Sequence, residues 1–297
     1  MCCGPISDAP ISRKPSPNSI AASAATDRRA ERVAFPLNSL GLRIVSALVL
    51  APPVLLAVWY GTPYFEGLAL LAALVMAWEW GRLLSNGAFG APGIALAVSC
   101  LAALVLLPFL PVLALAAGVI GAVLSSLLAE PKARSWGALG VFYIVLPMAA
   151  LLFLRAEPEG RSLMLWLFLI VWATDIGAYA AGRLIGGPLL APAISPKKTW
   201  AGLLGGMAAA GLTSILGCQA FELTDRVLMP GLLGALLAVI AQGGDLFESQ
   251  MKRHFGVKDS SNLIPGHGGL LDRVDGLLAA GFALGLLHMA GLEKSWM

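Results

Sequence analysis

The sequence predicts an all-α, polytopic integral membrane protein with about nine transmembrane helices and a cytoplasmic N-terminus. Three observations carry this reading. Hydrophobic residues make up 58% of the 297 residues and charged residues 12%, far from a soluble globular average. Apolar stretches recur at the length needed to cross a hydrocarbon core of about 30 Å. These stretches are continuous rather than alternating, which argues against a β-barrel.

Taken in order, residues 1–38 are rich in Ser, Pro, Ala and Arg without apolar periodicity, and read as a disordered cytoplasmic tail. Cys2 and Cys3 adjoin the initiator Met with no apolar region before them, so they form no lipoprotein signal, and a plain tail is favoured over acylation. The first apolar stretch starts near Arg43, too far in for a cleaved signal peptide, and remains as a span. Nine spans follow at about 44–60, 66–84, 93–110, 112–129, 137–154, 162–182, 201–218, 227–244 and 274–291, with a tight turn at Pro108 and Pro111 between the third and fourth. We divide them into N-terminal helices (39–160) and a C-terminal catalytic region (161–297).

Basic residues orient the spans. With the N-terminus inside, 16 of the 20 Lys and Arg fall on the cytoplasmic side, and only Arg155, Arg161, Arg226 and Lys294 fall opposite. A net charge of +3 without a long basic run gives no footprint for nucleic acid. Cys2, Cys3, Cys100 and Cys218 show neither ligand spacing nor a disulfide framework.

The informative exception to the apolar pattern is residues 244–276, GDLFESQMKRHFGVKDSSNLIPGHGGLLDRVDG, which hold nine of the chain's 37 charged residues. So many ionisable groups beside a bilayer point to a charged ligand, a metal, or both. Asp245 and Glu248 are three apart at the end of the eighth span, with Ser249 and Lys252 on the same helical face. Asp272 and Asp275 repeat that spacing at the start of the ninth. Two helix ends can thus turn paired carboxylates towards one cleft, as oxygen ligands suited to Mg²⁺. The rival reading is a salt-bridged loop, with Glu248 on Lys252 and Asp272 on Arg273, and spacing alone does not choose. Between the pairs, Gly268 and Gly269 beside His267 form a backbone able to offer N–H groups to phosphate. Glycine turns also join membrane helices for structural reasons alone.

Two further polar groups lie upstream. In WATDIGAYAAGRLIG, Asp175 sits inside an apolar span with Tyr179 and Arg183 at four-residue steps. A carboxylate there needs a partner or a wet cavity, and Ala178, Ala181, Gly182, Gly186 and Gly187 permit close helix packing. In ISPKKTWAG, Lys197, Lys198 and Thr199 precede a helix and are placed to meet phosphate at its N-terminus. The segment is not a Walker A loop. A positive-inside anchor is its rival explanation. An ion-coupled transporter would also place Asp in a span, but it predicts inverted repeats and a midplane site, whereas here the charge gathers at one face.

The stretch SQMKRHFGVKDSSNLIPGHGGLLDRVD (249–275) resembles the signature of phosphatidate cytidylyltransferases, and DIGAYAAGRLIG and SPKKTWAG resemble that family's upstream motifs in the expected order. The similarity covers about residues 165–280, with a short further match at AWEWGRL (77–83). It departs at Ala201, where the family usually carries Glu, so that either Glu248 or Glu79 is expected to substitute or turnover is expected to be slower. The resemblance implies transfer of a cytidylyl group from CTP to phosphatidic acid, giving CDP-diacylglycerol and pyrophosphate, with a sibling reaction on another lipid phosphate as the alternative. It implies Mg²⁺ on Asp245, Asp272 and Glu248, with a second cation left open. Lys252, Arg253, Lys258 and Arg273 neutralise phosphates, and Asp259 and Asp275 ligate or orient. His267 and Gly268–Gly269 meet phosphate, while Lys197, Lys198, Thr199, Asp175 and Tyr179 serve the nucleotide. It also implies a bacterial inner-membrane location, an active site facing the cytoplasm, and a homodimer that nothing in the spans shows.

Overall fold

Among the residues described, 39–292 of a computed structural model, the chain forms nine long α-helices. The N-terminal tail and Lys294 lie outside the described residues. The helices are α1 (Ser39–Tyr60), α2 (Tyr64–Leu84), α3 (Ala91–Leu106), α4 (Pro111–Leu128), α5 (Arg134–Ala156), α6 (Gly160–Leu184), α7 (Trp200–Ala220), α8 (Leu228–His254) and α9 (Leu271–Met289). A short 3₁₀ turn, Pro131–Ala133, leads into α5. The chain is an all-α polytopic integral membrane protein, as the apolar pattern predicts.

Among the described residues six helices, α2 and α4–α8, are long and apolar enough to cross a bilayer. Two others fall short for visible reasons. The helix α3 has 16 residues. The first turns of α9 carry Asp272, Arg273 and Asp275. Large apolar side chains such as Val112, Leu115 and Ile120 face outwards, where lipid rather than water covers them.

Local chemistry sets the ends. Pro92 and Pro111 occupy the first turns of α3 and α4, where a missing N–H costs nothing. Thr199 caps α7, its Oγ1 accepting from Gly202 N at 3.0 Å. The apolar run of α8 ends near Gly244, yet the helix continues ten residues to His254, because loss of hydropathy marks the bilayer edge and not a helix stop. The stop is Gly256 at φ +68°, where Val257 N–H reaches Lys252 O and Gly256 N–H reaches Arg253 O. Conversely, α3 ends at Leu106, short of the expected 110.

Small residues let consecutive helices pack antiparallel with main chains almost touching. Between α6 and α7, a Cβ on Gly205 would overlap Ala181 Cβ, and one on Gly177 would lie 2.7 Å from Gly205 O. Between α7 and α8, a Cβ on Gly234 would stand 2.7 Å from Ala210 O. The core behind these seams holds Met76, Trp80, Trp166, Leu237 and Met251. Trp80 and Trp166 donate Nε1–H to Trp136 O and Ser214 O.

A two-stranded antiparallel hairpin, β1 (Leu189–Ala191) and β2 (Ser195–Thr199), joins α6 to α7 with Leu189 opposite Thr199 and Ala191 opposite Ser195. The sequence reading did not foresee it, since three to five residues broken by Pro192 and Pro196 carry no alternating pattern. The hairpin shares one end of the bundle with the 255–270 loop and the 85–90 and 129–133 turns. Asn86 donates to Glu130 at 3.2 Å, and His254 Nε2 lies 3.2 Å from Lys132 O.

Replacing Gly205 by Val forces α6 and α7 apart. We expect a loss of about 2 kcal/mol, read as a lowered thermal unfolding midpoint of the purified protein in detergent. An unchanged midpoint would show that this seam tolerates a side chain.

Candidate active site

Backbone contact brings the acids together. A Cβ on Gly244 would lie 2.7 Å from both Asp275 O and Ala279 Cβ, so α8 and α9 meet main chain to main chain one residue before Asp245. Asp245, Glu248 and Asp275 thereby each place a carboxylate oxygen within 4.8 Å of the others. Of the three acids expected to hold metal, Asp245 and Glu248 stand together. Asp275, not Asp272, completes the group.

Two lysines answer these charges. Lys198, at the inner end of β2, puts Nζ 2.7 Å from Asp245 Oδ2 and 3.3 Å from Gln242 O. Lys252 Nζ lies 2.6 Å from Glu248 Oε2 and 2.6 Å from Asp272 Oδ1, tying α8 to the start of α9. The anticipated Glu248–Lys252 pair forms, whereas Asp272 pairs with Lys252 and not with Arg273.

Asp272 is saturated by the protein. Its Oδ2 accepts from Ser260 N (2.9 Å), Ser260 Oγ (3.0 Å) and Gly269 N (2.8 Å), while Oδ1 faces Lys252. It therefore orders the loop that holds Lys252 in place. The same loop consumes the N–H groups expected to meet phosphate: His267 N and Gly268 N both donate to Ile264 O, and Gly269 N is spent on Asp272. Gly268 has φ +88° and faces Asp272 Oδ2. A Cβ on Gly269 would overlap Ser260 Oγ and Glu79. These glycines serve a turn folded onto its own carboxylates, not an anion cradle. His267 Nδ1 lies 2.6 Å from Ser46 Oγ on α1.

Glu79, on α2, is fully buried. Oε1 accepts from Ser261 Oγ (2.6 Å) and Leu270 N (2.8 Å), and Oε2 accepts from Leu271 N (2.8 Å). A carboxylate at these first N–H groups of α9 satisfies orphan donors and complements the helix dipole. Glu79 is thus committed to α9 and stands outside the acid group. Of the two acids offered in place of the missing Glu at Ala201, only Glu248 belongs to it.

The remaining residues divide. β2 alternates, so Lys197 is exposed on the face opposite Lys198, and the Thr199 hydroxyl caps α7. Arg253 is exposed and donates to Val257 O at 3.3 Å. Lys258 and Asp259 line a cavity of about 530 Å³ with Arg82, Asn86 and Asn262. Asp175 and Tyr179 are exposed along α6, and Asp175 lies within electrostatic reach of Asp245, Lys198 and Arg273. The sequence reading missed Ser46, Ser260, Ser261 and Gln242, whose types carry no signal of their own. The Gly243–Gly244 pair before Asp245 was the available sign of a close helix contact.

The donor set suits a hard divalent cation. Three carboxylates converge, and buried Glu248 meets a single cation, Lys252 at 2.6 Å.

Residues 41–290 match the cytidylyltransferase family. The chain belongs to that family. Among cytidylyltransferases it is similar to the phosphatidate cytidylyltransferase of Brucella suis biovar 1, 38% identical over 272 residues that cover 86% of this chain and 94% of the relative. The phosphatidate cytidylyltransferase of Pseudomonas aeruginosa is 37% identical, covering 80% and 93% of the two chains. That of Rickettsia felis is 30% identical, covering 85% and 94%.

Removing the Glu79 carboxylate should strand Ser261 Oγ and two N–H groups. For Glu79→Ala we expect a loss of at least about 2 kcal/mol of stability together with loss of activity, and a smaller loss for Glu79→Gln. Unfolding midpoints of the three proteins in one detergent check the order.

Proposed function

We propose that this chain transfers the cytidylyl group of CTP to phosphatidic acid, forming CDP-diacylglycerol and pyrophosphate. The observation that carries the reading is the convergence of Asp245, Glu248 and Asp275 with Lys198 and Lys252 at the bundle end that gathers the basic loops. Membership of the family and the names of the relatives support it. The positive-inside bias supports a site on the cytoplasmic side of a bacterial inner membrane, where CTP is dissolved and the lipid lies in the facing leaflet. The homodimer implied by the resemblance belongs to the same proposal.

The reaction sets a phosphate oxygen of the lipid against the α-phosphorus of CTP. An O–P bond forms, the bond from the α-phosphorus to the bridging oxygen breaks, and its electron pair leaves with pyrophosphate. The second ionisation of a phosphate monoester falls near pH 6, so the acceptor is largely ionised and needs no strong base. The obstacle is repulsion between two anions. Lys198 and Lys252 are held at the acids by 2.6–2.7 Å contacts and are pre-positioned to offset it, and exposed Arg273 adds a third cation. Asp245, Glu248 and Asp275 would hold Mg²⁺, which when bound supplies Lewis-acid withdrawal of charge from phosphoryl oxygens. Asp272 fixes Lys252 and the loop before α9, so its role is positioning.

Purified protein in detergent should release pyrophosphate only when CTP, phosphatidic acid and Mg²⁺ are all present, with CDP-diacylglycerol in the lipid phase. Release with a different lipid phosphate instead would move the chain to the sibling activity. Asp275→Asn should lower kcat at least about 100-fold and abolish the stabilisation that Mg²⁺ gives the wild type in thermal unfolding. Retention of both would remove Asp275 from the metal site.

A further inference from the structure

Besides the acids and lysines, one more polar group lies at the cluster. Tyr143 stands on α5, its ring wedged between Trp80 of α2 (centroids 5.1 Å apart) and Phe247 of α8 (5.2 Å). Phe247 falls between Asp245 and Glu248 in the chain, so the ring packs against the stretch of α8 that carries both acids. The third acid is brought to the same level by α9. The helices α5 and α9 meet at Gly281, where a Cβ would lie 2.5 Å from Leu151 Cδ2. Counted back from that contact, Tyr143 stands about 12 Å along α5 and Asp275 about 9 Å along α9. The phenol is within electrostatic reach of Asp275, Glu248 and Asp245. Aromatic packing fixes the ring, yet the hydroxyl is buried and meets no hydrogen-bond partner among the described residues.

A buried tyrosine hydroxyl usually has a hydrogen-bond partner. The acids around this one are answered elsewhere: Asp245 by Lys198, Glu248 by Lys252 and Asp275 by the N–H of Gly276. We propose that Tyr143 is a further residue of the active site, whose O–H donates to a phosphoryl oxygen of the substrate held at the acid–lysine cluster. The chemistry suits a phenol. Each ammonium group that offsets phosphate charge also draws on a carboxylate, whereas a neutral O–H serves the phosphoryl oxygen without competing for the acids. A donor already fixed by packing costs no reorganisation as charge develops on that oxygen. The bond moves no proton, because the oxygen accepts it as an anion and the phenol keeps its hydrogen. This assignment rests on reading the reaction as phosphate chemistry at the cluster, and it brings α5 into the site.

Tyr143→Phe removes the hydroxyl and keeps the ring, and thermal unfolding of the full chain in detergent reads the result. Since the hydroxyl bonds nothing in the protein, the variant's midpoint should equal or exceed that of the wild type. The rise in midpoint with Mg²⁺ alone should be kept. The further rise on adding inorganic pyrophosphate to excess Mg²⁺ should shrink, and kcat with CTP and phosphatidic acid should fall at least about 10-fold. A raised KM for CTP assigns the bonded oxygen to the nucleotide, and a raised KM for phosphatidic acid assigns it to the lipid. Tyr143→Leu, also without the donor, repeats the ligand comparisons if the phenylalanine variant fails to fold. Three results would overturn the proposal: a lowered midpoint of Tyr143→Phe without ligand, loss of its rise with Mg²⁺ alone, or an unchanged kcat with an unchanged pyrophosphate rise. The pyrophosphate comparison requires no turnover. A wild type that makes no CDP-diacylglycerol, while the two proteins differ with pyrophosphate as expected, would refute the reaction and leave the role of Tyr143 standing.

Discussion

The buried carboxylate of Glu79 is the contact on which the polar end of the molecule depends. It accepts from the two N–H groups that open α9 and from the hydroxyl of the preceding loop, so one acid from α2 fixes both where α9 begins and how the loop reaches it. Asp272 is then placed to gather Ser260 and Gly269, and its free oxygen draws in Lys252 from α8. Asp275 follows one turn later on a helix whose rotation has already been set. A chain of short contacts thus runs from the N-terminal helices to the acids that would carry the chemistry, and every link is a charged group meeting its complement away from water.

That arrangement separates two uses of carboxylate in one small volume. Glu79 and Asp272 are spent: each has its oxygens filled by donors of the protein. Asp245 and Glu248 are only partly answered, by one ammonium group each, Lys198 and Lys252, and Asp275 accepts from the N–H of Gly276 at 2.7 Å. Saturation makes architecture, and deficit leaves room for a ligand. Neutralising a saturated acid should be felt first as loss of order, whereas neutralising a deficient one should be felt first as loss of binding.

The fold was legible because the bilayer imposes one strong rule, and nine apolar stretches became nine helices within a few residues. The clearest miss in length, α8, arose because hydropathy ends at Gly244 while the hydrogen-bond ladder runs on to Gly256. The hairpin was invisible because its pairing rests on main-chain bonds between very short strands. Within the site, residue types located the charged block correctly, but three-residue spacing could not separate Asp272 from Asp275. Both lie in the first turns of α9, and only the loop folding back over the helix start decides which becomes internal. Glu79 lies almost 170 residues before the first acid of the block, and no periodicity links them.

The glycine contact between α8 and α9 also sets a mechanical limit. Where two main chains touch, hard-core repulsion prevents closer approach, while thermal motion can still part them. The spacing of Asp245 and Glu248 from Asp275 therefore has a lower bound that side-chain packing would not supply. Whatever charge lies between them, the two helices can bring these acids no closer, so the repulsion among the three carboxylates is capped by the backbone rather than by the lysines that answer it.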